Sequence, residues 1–206
     1  MNHNLWRRLR NSLLFALAGG ILLTGCVRSV PAQYYQLSAL RGDTVRAEFG
    51  VSKEATIGLG PVLLPEYLER PQIVSRTSAN RLILSTRHRW VEPLAENMPR
   101  VLGEDLSALL GTDRILLHPW TRGRRIDCQI IVEVLQFEEA PDGTVQLMAR
   151  WQVVGKEGQV LVAERRSSIS LTPAAPDQEA VVAALSQAVF RLAREIAPAL
   201  PGLAGQ

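Results

Sequence analysis

The sequence predicts a two-layer α/β sandwich of the α+β kind, a mixed and mostly antiparallel sheet with two amphipathic helices packed on one face. Three observations predict it. Two long runs, 126–138 and 144–154, alternate apolar and largely polar residues with period two, and Pro141-Asp142-Gly143 between them is turn chemistry, so they pair as a hairpin. Two other stretches, 93–110 and the one that follows Asp177, repeat their apolar residues with the period of a helix. Finally, 206 residues with 47% apolar and 21% charged side chains suit one globular domain, and no internal repeat is visible.

The elements follow in order. Arg7, Arg8 and Arg10 form a positive n-region, and residues 13–23 (LLFALAGGILL) are an apolar stretch too short for the roughly 20 residues that cross a bilayer. Leu23-Thr24-Gly25-Cys26 then resembles the lipobox of bacterial lipoproteins. Residues 1–25 are read as a signal peptide, cleaved between Gly25 and Cys26, with Cys26 carrying the covalent lipid and 26–33 serving as an acylated tether. An Asp after the acylated Cys would signal inner-membrane retention in enteric-type sorting; Val27 stands there, which favours the periplasmic face of the outer membrane.

A single domain spans 34–200. Residues 34–38 (YYQLS) read as a first strand and 41–54 as a loop. In 56–64 the period of two resumes, with Ile57, Leu59 and Leu63 on one face, a bulge or close backbone approach at Gly58 and Gly60, and an edge position at Pro61. Residues 66–70 suit one helical turn, and 72–77 with 81–85 suit a hairpin about Ser78-Ala79-Asn80. The first helix, 93–110, shows Leu94, Met98, Val101, Leu102, Leu106 and Leu109 on one stripe and a stop at Gly111, while Pro99 predicts either a kink or a start near Met98. A short strand at 115–118 precedes the long hairpin, and 159–171 returns beside it. Asp177 caps the last helix, whose stripe is Val181, Leu185, Ala188, Val189, Leu192 and Ile196; residues 201–206 are a frayed tail.

Charge and motif narrow the function. The net charge of +3 resides in the leader, and without residues 1–25 the chain has 20 basic and 20 acidic side chains, so the footprint of a nucleic-acid binder is missing. His88, His118 and Cys128 are the only soft ligands or bases of the mature chain, no two at ligand spacing, and Cys128 alternates in phase with a buried strand face. Glu138 and Glu139 are neighbours on a strand and so point to opposite faces, a poor acid and base pair. The expectation is a protein that is not an enzyme, with no catalytic residue, metal or cofactor. Two basic clusters, Arg87-His88-Arg89 and Arg122 with Arg124 and Arg125, are solvated loop charges or contacts for an acidic partner or anionic headgroups.

Two segments stand out, LLPEYLERPQIV at 63–74 and RWVEPL at 89–94. Both are junctions, and their residues either fix corners of the fold or anchor a partner, with Tyr67, Arg70, Gln72, Arg89, Trp90 and Glu92 as the candidate contacts. The lipobox, YYQLS, these two segments in this order and the closing amphipathic helix together resemble the PqiC/YmbA-type ABC-transport auxiliary lipoproteins. The matching positions are Leu64, Pro65, Tyr67, Leu68, Arg70, Gln72, Ile73 and Val74, then Arg89, Trp90, Glu92, Pro93 and Leu94. The resemblance implies a non-enzymatic outer-membrane lipoprotein that self-associates into a ring. It also implies a partner of the mammalian-cell-entry (MCE) type, whose tunnel moves lipid across the periplasm, and an inner-membrane permease system. An envelope-assembly scaffold that moves no lipid is the alternative reading.

Overall fold

The computed structural model describes Trp6 and residues 31–40, 49–52, 54–121 and 123–200. The chain divides into two units, Met1–Pro31 and Ala32–Gln206, and the architecture is that of the second. Apart from Trp6, the predicted signal peptide with Gly25, and with it Cys26, most of the tether, most of the predicted loop 41–54, Arg122 and the tail 201–206, lie outside the described residues.

One sheet holds the eight described strands β1 (Gln33–Tyr35), β2 (Ile57–Leu63), β3 (Gln72–Ser78), β4 (Arg81–Trp90), β5 (Ile115–Leu117), β6 (Cys128–Glu139), β7 (Val145–Gly155) and β8 (Val160–Leu171). Two helices, α1 (Leu94–Leu110) and α2 (Gln178–Ile196), complete the α+β fold. Strand β6 is the centre: β7 and then β8 lie antiparallel along one edge, while β2 runs parallel to its first half and β3 touches its end at Ser75 and Glu139. Beyond β3 the sheet continues antiparallel to β4, which pairs with β1, and beyond β2 it ends at β5. The long antiparallel pairs carry most of the register, as the alternation predicts.

The core lies between this sheet and the helices. Cys128, Ile130, Val132 and Val134 of β6 and Val145, Leu147, Ala149, Trp151 and Val153 of β7 are all buried, which is the phase read from the sequence. Every predicted stripe residue of both helices is buried too. The Asp177 carboxylate accepts the Ala180 N–H at 2.8 Å, and Gly111 closes α1 in the left-handed conformation at φ 66°.

Four expectations change. Helix α1 runs unbroken from Leu94, so it does not begin near Met98; Pro99 has no N–H to offer, but the carbonyl it leaves free belongs to the exposed Ala95. Strand β4 extends to Trp90 because β1 pairs with its last residues in parallel. Strand β1 ends at Tyr35, and Leu37 is instead buried beneath the helices. In β2, Ile57 and Leu59 are buried but Leu63 is 53% exposed, because the register with β6 slips between Leu59 and Val62 and reverses the alternation; Pro61 stands in that bulge. Gly60 there has φ 117°, and a Cβ on it would lie 2.7 Å from the Cβ of His118, so the close backbone approach is real.

Candidate functional site

The two motif segments, some twenty residues apart in sequence, fold into one junction. Pro65 opens a single 3-10 turn, Glu66–Leu68, whose Leu68 is buried, and the chain then passes Pro71 into β3. The Pro71 carbonyl accepts the Trp90 N–H at 2.7 Å, and Gln72 pairs in register with Arg89. Trp90 is 6% exposed: it fills the core under the start of α1 and offers no surface to a partner. Glu92 does not cap α1; its carboxylate engages Arg100 one to two turns along, and Arg100 also lies 3.6 Å from Glu104. Arg70 is exposed, and Arg89 and Gln72 are half-buried.

Tyr67 is half-buried and spends its hydroxyl inside the protein, donating to Glu138 Oε2 at 2.7 Å. Glu138 is fully buried, accepts Arg76 Nε at 2.7 Å on its other oxygen, and receives the Phe137 N–H at 3.0 Å. A bare carboxylate so placed would be strongly unfavourable; here an ion pair and two hydrogen bonds hold it. Burial, reinforced by Glu138, raises the Tyr67 phenol well above its ordinary range, so it stays a neutral donor. The hydrogen bond that Arg76 donates to Glu138 likewise raises the guanidinium. This node pins the turn, β3 and β6 together. From sequence alone Glu138 is only half of a poor acid and base pair; its clamp role depends on Tyr67 and Arg76, contributed from other elements. The alternation of β6 carries no signal of that role: the register slips between Val134 and Gln136, so Phe137 takes the core and Glu138, buried as well, lies on the opposite face.

A second polar set lies beneath the helices. After β1 the backbone crosses both of them: Leu37 N–H donates to Asn97 Oδ1 at 2.7 Å, Ser38 N–H to Ser186 Oγ at 3.2 Å and Leu40 N–H to Asp105 Oδ1 at 3.1 Å. Asn97, Asp105 and Ser186 are buried, and they fasten to the domain the segment that continues the tether.

The remaining reactive groups are committed or inert. Cys128 is 2% exposed and burial pushes its thiol up to about 11, away from the thiolate. His88 Nδ1 lies 3.1 Å from the Tyr35 hydroxyl, and the exposed His118 meets Trp120 edge to face at 5.2 Å. Among the described residues no three His, Cys, Asp or Glu side chains gather to hold a metal, and no helix is long and apolar enough to cross a membrane. An open trough of about 570 Å³ runs between α1 and β5, bordered by Arg100, Glu104, Asp113 and Leu117.

The chain is similar to solved structures over nearly its whole domain. One, the crystal structure of an uncharacterized protein, shares 21% identity with a TM-score of 0.67, covering 82% of this chain and 97% of its own. Protein XCC0632 from Xanthomonas campestris shares 15% identity at the same TM-score, covering 84% and 96%. No curated protein matches the sequence. The model of the family described as ABC-type transport auxiliary lipoprotein component matches residues 35–197, from the last residue of β1 to just past α2. With the lipobox upstream of that span and both motif segments joined inside it, the chain belongs to the ABC-type transport auxiliary lipoprotein family.

Proposed function

We propose that this lipoprotein is a docking subunit of an MCE-type lipid transport system, anchored by Cys26 in the periplasmic leaflet of the outer membrane. In this reading it assembles as a ring at the far end of the MCE tunnel and supports envelope integrity. The observation that carries the reading is the order of the chain: a lipobox ending at Cys26, a short tether, and then a domain that matches a transport auxiliary family from residue 35 onward. Several acyl chains, at roughly 0.8 kcal/mol per buried methylene, hold a protein firmly to a leaflet. The committed or inert state of His88, Cys128 and Glu138 agrees with a partner that does no chemistry of its own and draws energy from an inner-membrane permease system.

Crosslinking of the native, acylated protein in intact cells, with mass spectrometry of what copurifies from the outer-membrane fraction, tests this. Recovery of an MCE-domain protein is the expected result. Recovery of cell-wall or assembly proteins without any MCE protein would replace transport with scaffolding.

A further inference from the structure

The point at which the tether enters the domain has its own surface chemistry. Six residues separate Cys26 from Gln33, and the seven steps of chain reach at most about 25 Å. The corner where β1 meets β4 is therefore held within that distance of the surface into which the Cys26 lipid inserts. This rests on the anchored reading above.

Three side chains share the outer face of the corner and a fourth adjoins it. Tyr34 pairs in register with Arg89, strand alternation places Arg87 on the same side as Arg89, and Val91 follows directly where β4 ends at Trp90. Tyr35, His88 and Trp90 turn the other way, two of them joined by a hydrogen bond and the third buried. Tyr34 is 61% exposed and Val91 58%, large values for an aromatic and a branched aliphatic side chain. Neither arginine has a carboxylate partner among the described residues, and the buried Arg89 Nε has no acceptor at all. Glu92, the nearest carboxylate in sequence, is taken by Arg100. Strand β1 pairs with β4 alone, so nothing of the sheet covers the corner from its outer edge.

We propose that this corner is a membrane-headgroup site, at which Arg87 and Arg89 bind the phosphates of anionic phospholipid while Tyr34 and Val91 settle at headgroup level. The guanidinium fork matches phosphate, and phenol rings favour the boundary between headgroup and hydrocarbon. Uncommitted cations beside exposed apolar groups are the pattern of an interfacial surface, and the tether delivers this pattern to a bilayer. The contact orients the domain on its anchor.

The test places an environment-sensitive fluorophore at position 34 of the acylated full-length mature protein through Tyr34→Cys; Cys128 is buried and Cys26 is acylated, so the label is site-specific. The labelled protein is reconstituted into phosphatidylethanolamine vesicles containing phosphatidylglycerol, or into phosphatidylcholine vesicles alone. The expected result is a blue shift confined to the anionic vesicles, reversed by high salt and lost in Arg87→Glu, a change at an exposed position with an unfolding midpoint expected to match the parent's. Arg89→Glu should act in the same direction. Protein that floats with both vesicles but shows no difference in emission overturns the proposal and leaves the two arginines for an acidic protein partner. Protein that floats with neither fails earlier, at the anchor, and the proposal falls with it.

Discussion

Asp105 lies 1% exposed on α1, with one oxygen receiving the Leu40 N–H and the other, Oδ2, buried without a partner. Burial pushes its carboxyl from 3.8 up to about 7. The folded protein thus holds a proton that the unfolded chain releases near pH 4. The stabilisation from that proton is complete below about pH 4 and is lost as pH rises through about 7. Asp105→Asn keeps the acceptor for Leu40 and removes the titration. The variant should therefore gain stability relative to the parent between pH 4 and pH 8, by up to about 4 kcal/mol for a shift of this size. Urea unfolding of both proteins across that range measures it, and parallel pH profiles would contradict the assignment. The residue was legible in part: Met98, Val101, Asp105 and Leu109 follow one another at helical spacing, as do Leu94, Asn97 and Val101, so two polar residues sit within the apolar stripe. What the sequence withholds is the backbone they serve, since residues 37–40 reach them from about sixty positions away.

Among the elements, those with a long repeating pattern were readable and those set by a partner strand were not. The β6–β7 hairpin, β8, both helices and the Asp177 cap all follow from local periodicity and turn residues. The length of β4 depends on pairing with β1, and the exposure of Leu63 depends on a slip against β6; neither contact is local, so neither leaves a periodic trace. The motif at 63–74 showed its corner, but its purpose rests on Glu138, contributed by another strand. That carboxylate joins the Glu66–Leu68 turn to β3 and β6, so Glu138→Ala should do more than remove contacts, because it leaves the Arg76 charge without its partner. A loss of about 3 kcal/mol is expected, with Glu138→Gln recovering part of it by keeping an acceptor for Tyr67. Chemical denaturation gives the values, and hydrogen exchange should show the turn and the β3 end opening first. A loss within about 0.5 kcal/mol, the range of ordinary surface substitutions, would mean that the node does not clamp these elements.

At the scale of the whole molecule, the two proposed attachments to the bilayer differ in strength, and the inequality is testable. Acyl chains on Cys26 contribute roughly 0.8 kcal/mol for each buried methylene, so even one chain outweighs two arginines at about 1 kcal/mol each near an anionic surface. Removing residues 1–25 leaves the charges balanced, so no global attraction to anionic lipid supplements these terms. A variant whose residues 1–26 are replaced by an ordinary secretory signal peptide, cleaved without acylation, should therefore move from the membrane to the soluble periplasmic fraction. Its thermal unfolding should match that of the parent, since the core and both polar networks lie within the unit that begins at Ala32. Arg87→Glu with Arg89→Glu should leave the acylated protein in the membrane and change only how the domain sits upon it. Fractionation of the two variants decides the matter. Such an unacylated, leader-free protein still found with membranes would show that protein contacts, and not the lipid, hold the domain at the bilayer, and the corner at Tyr34 and Arg89 would then have to anchor as well as orient.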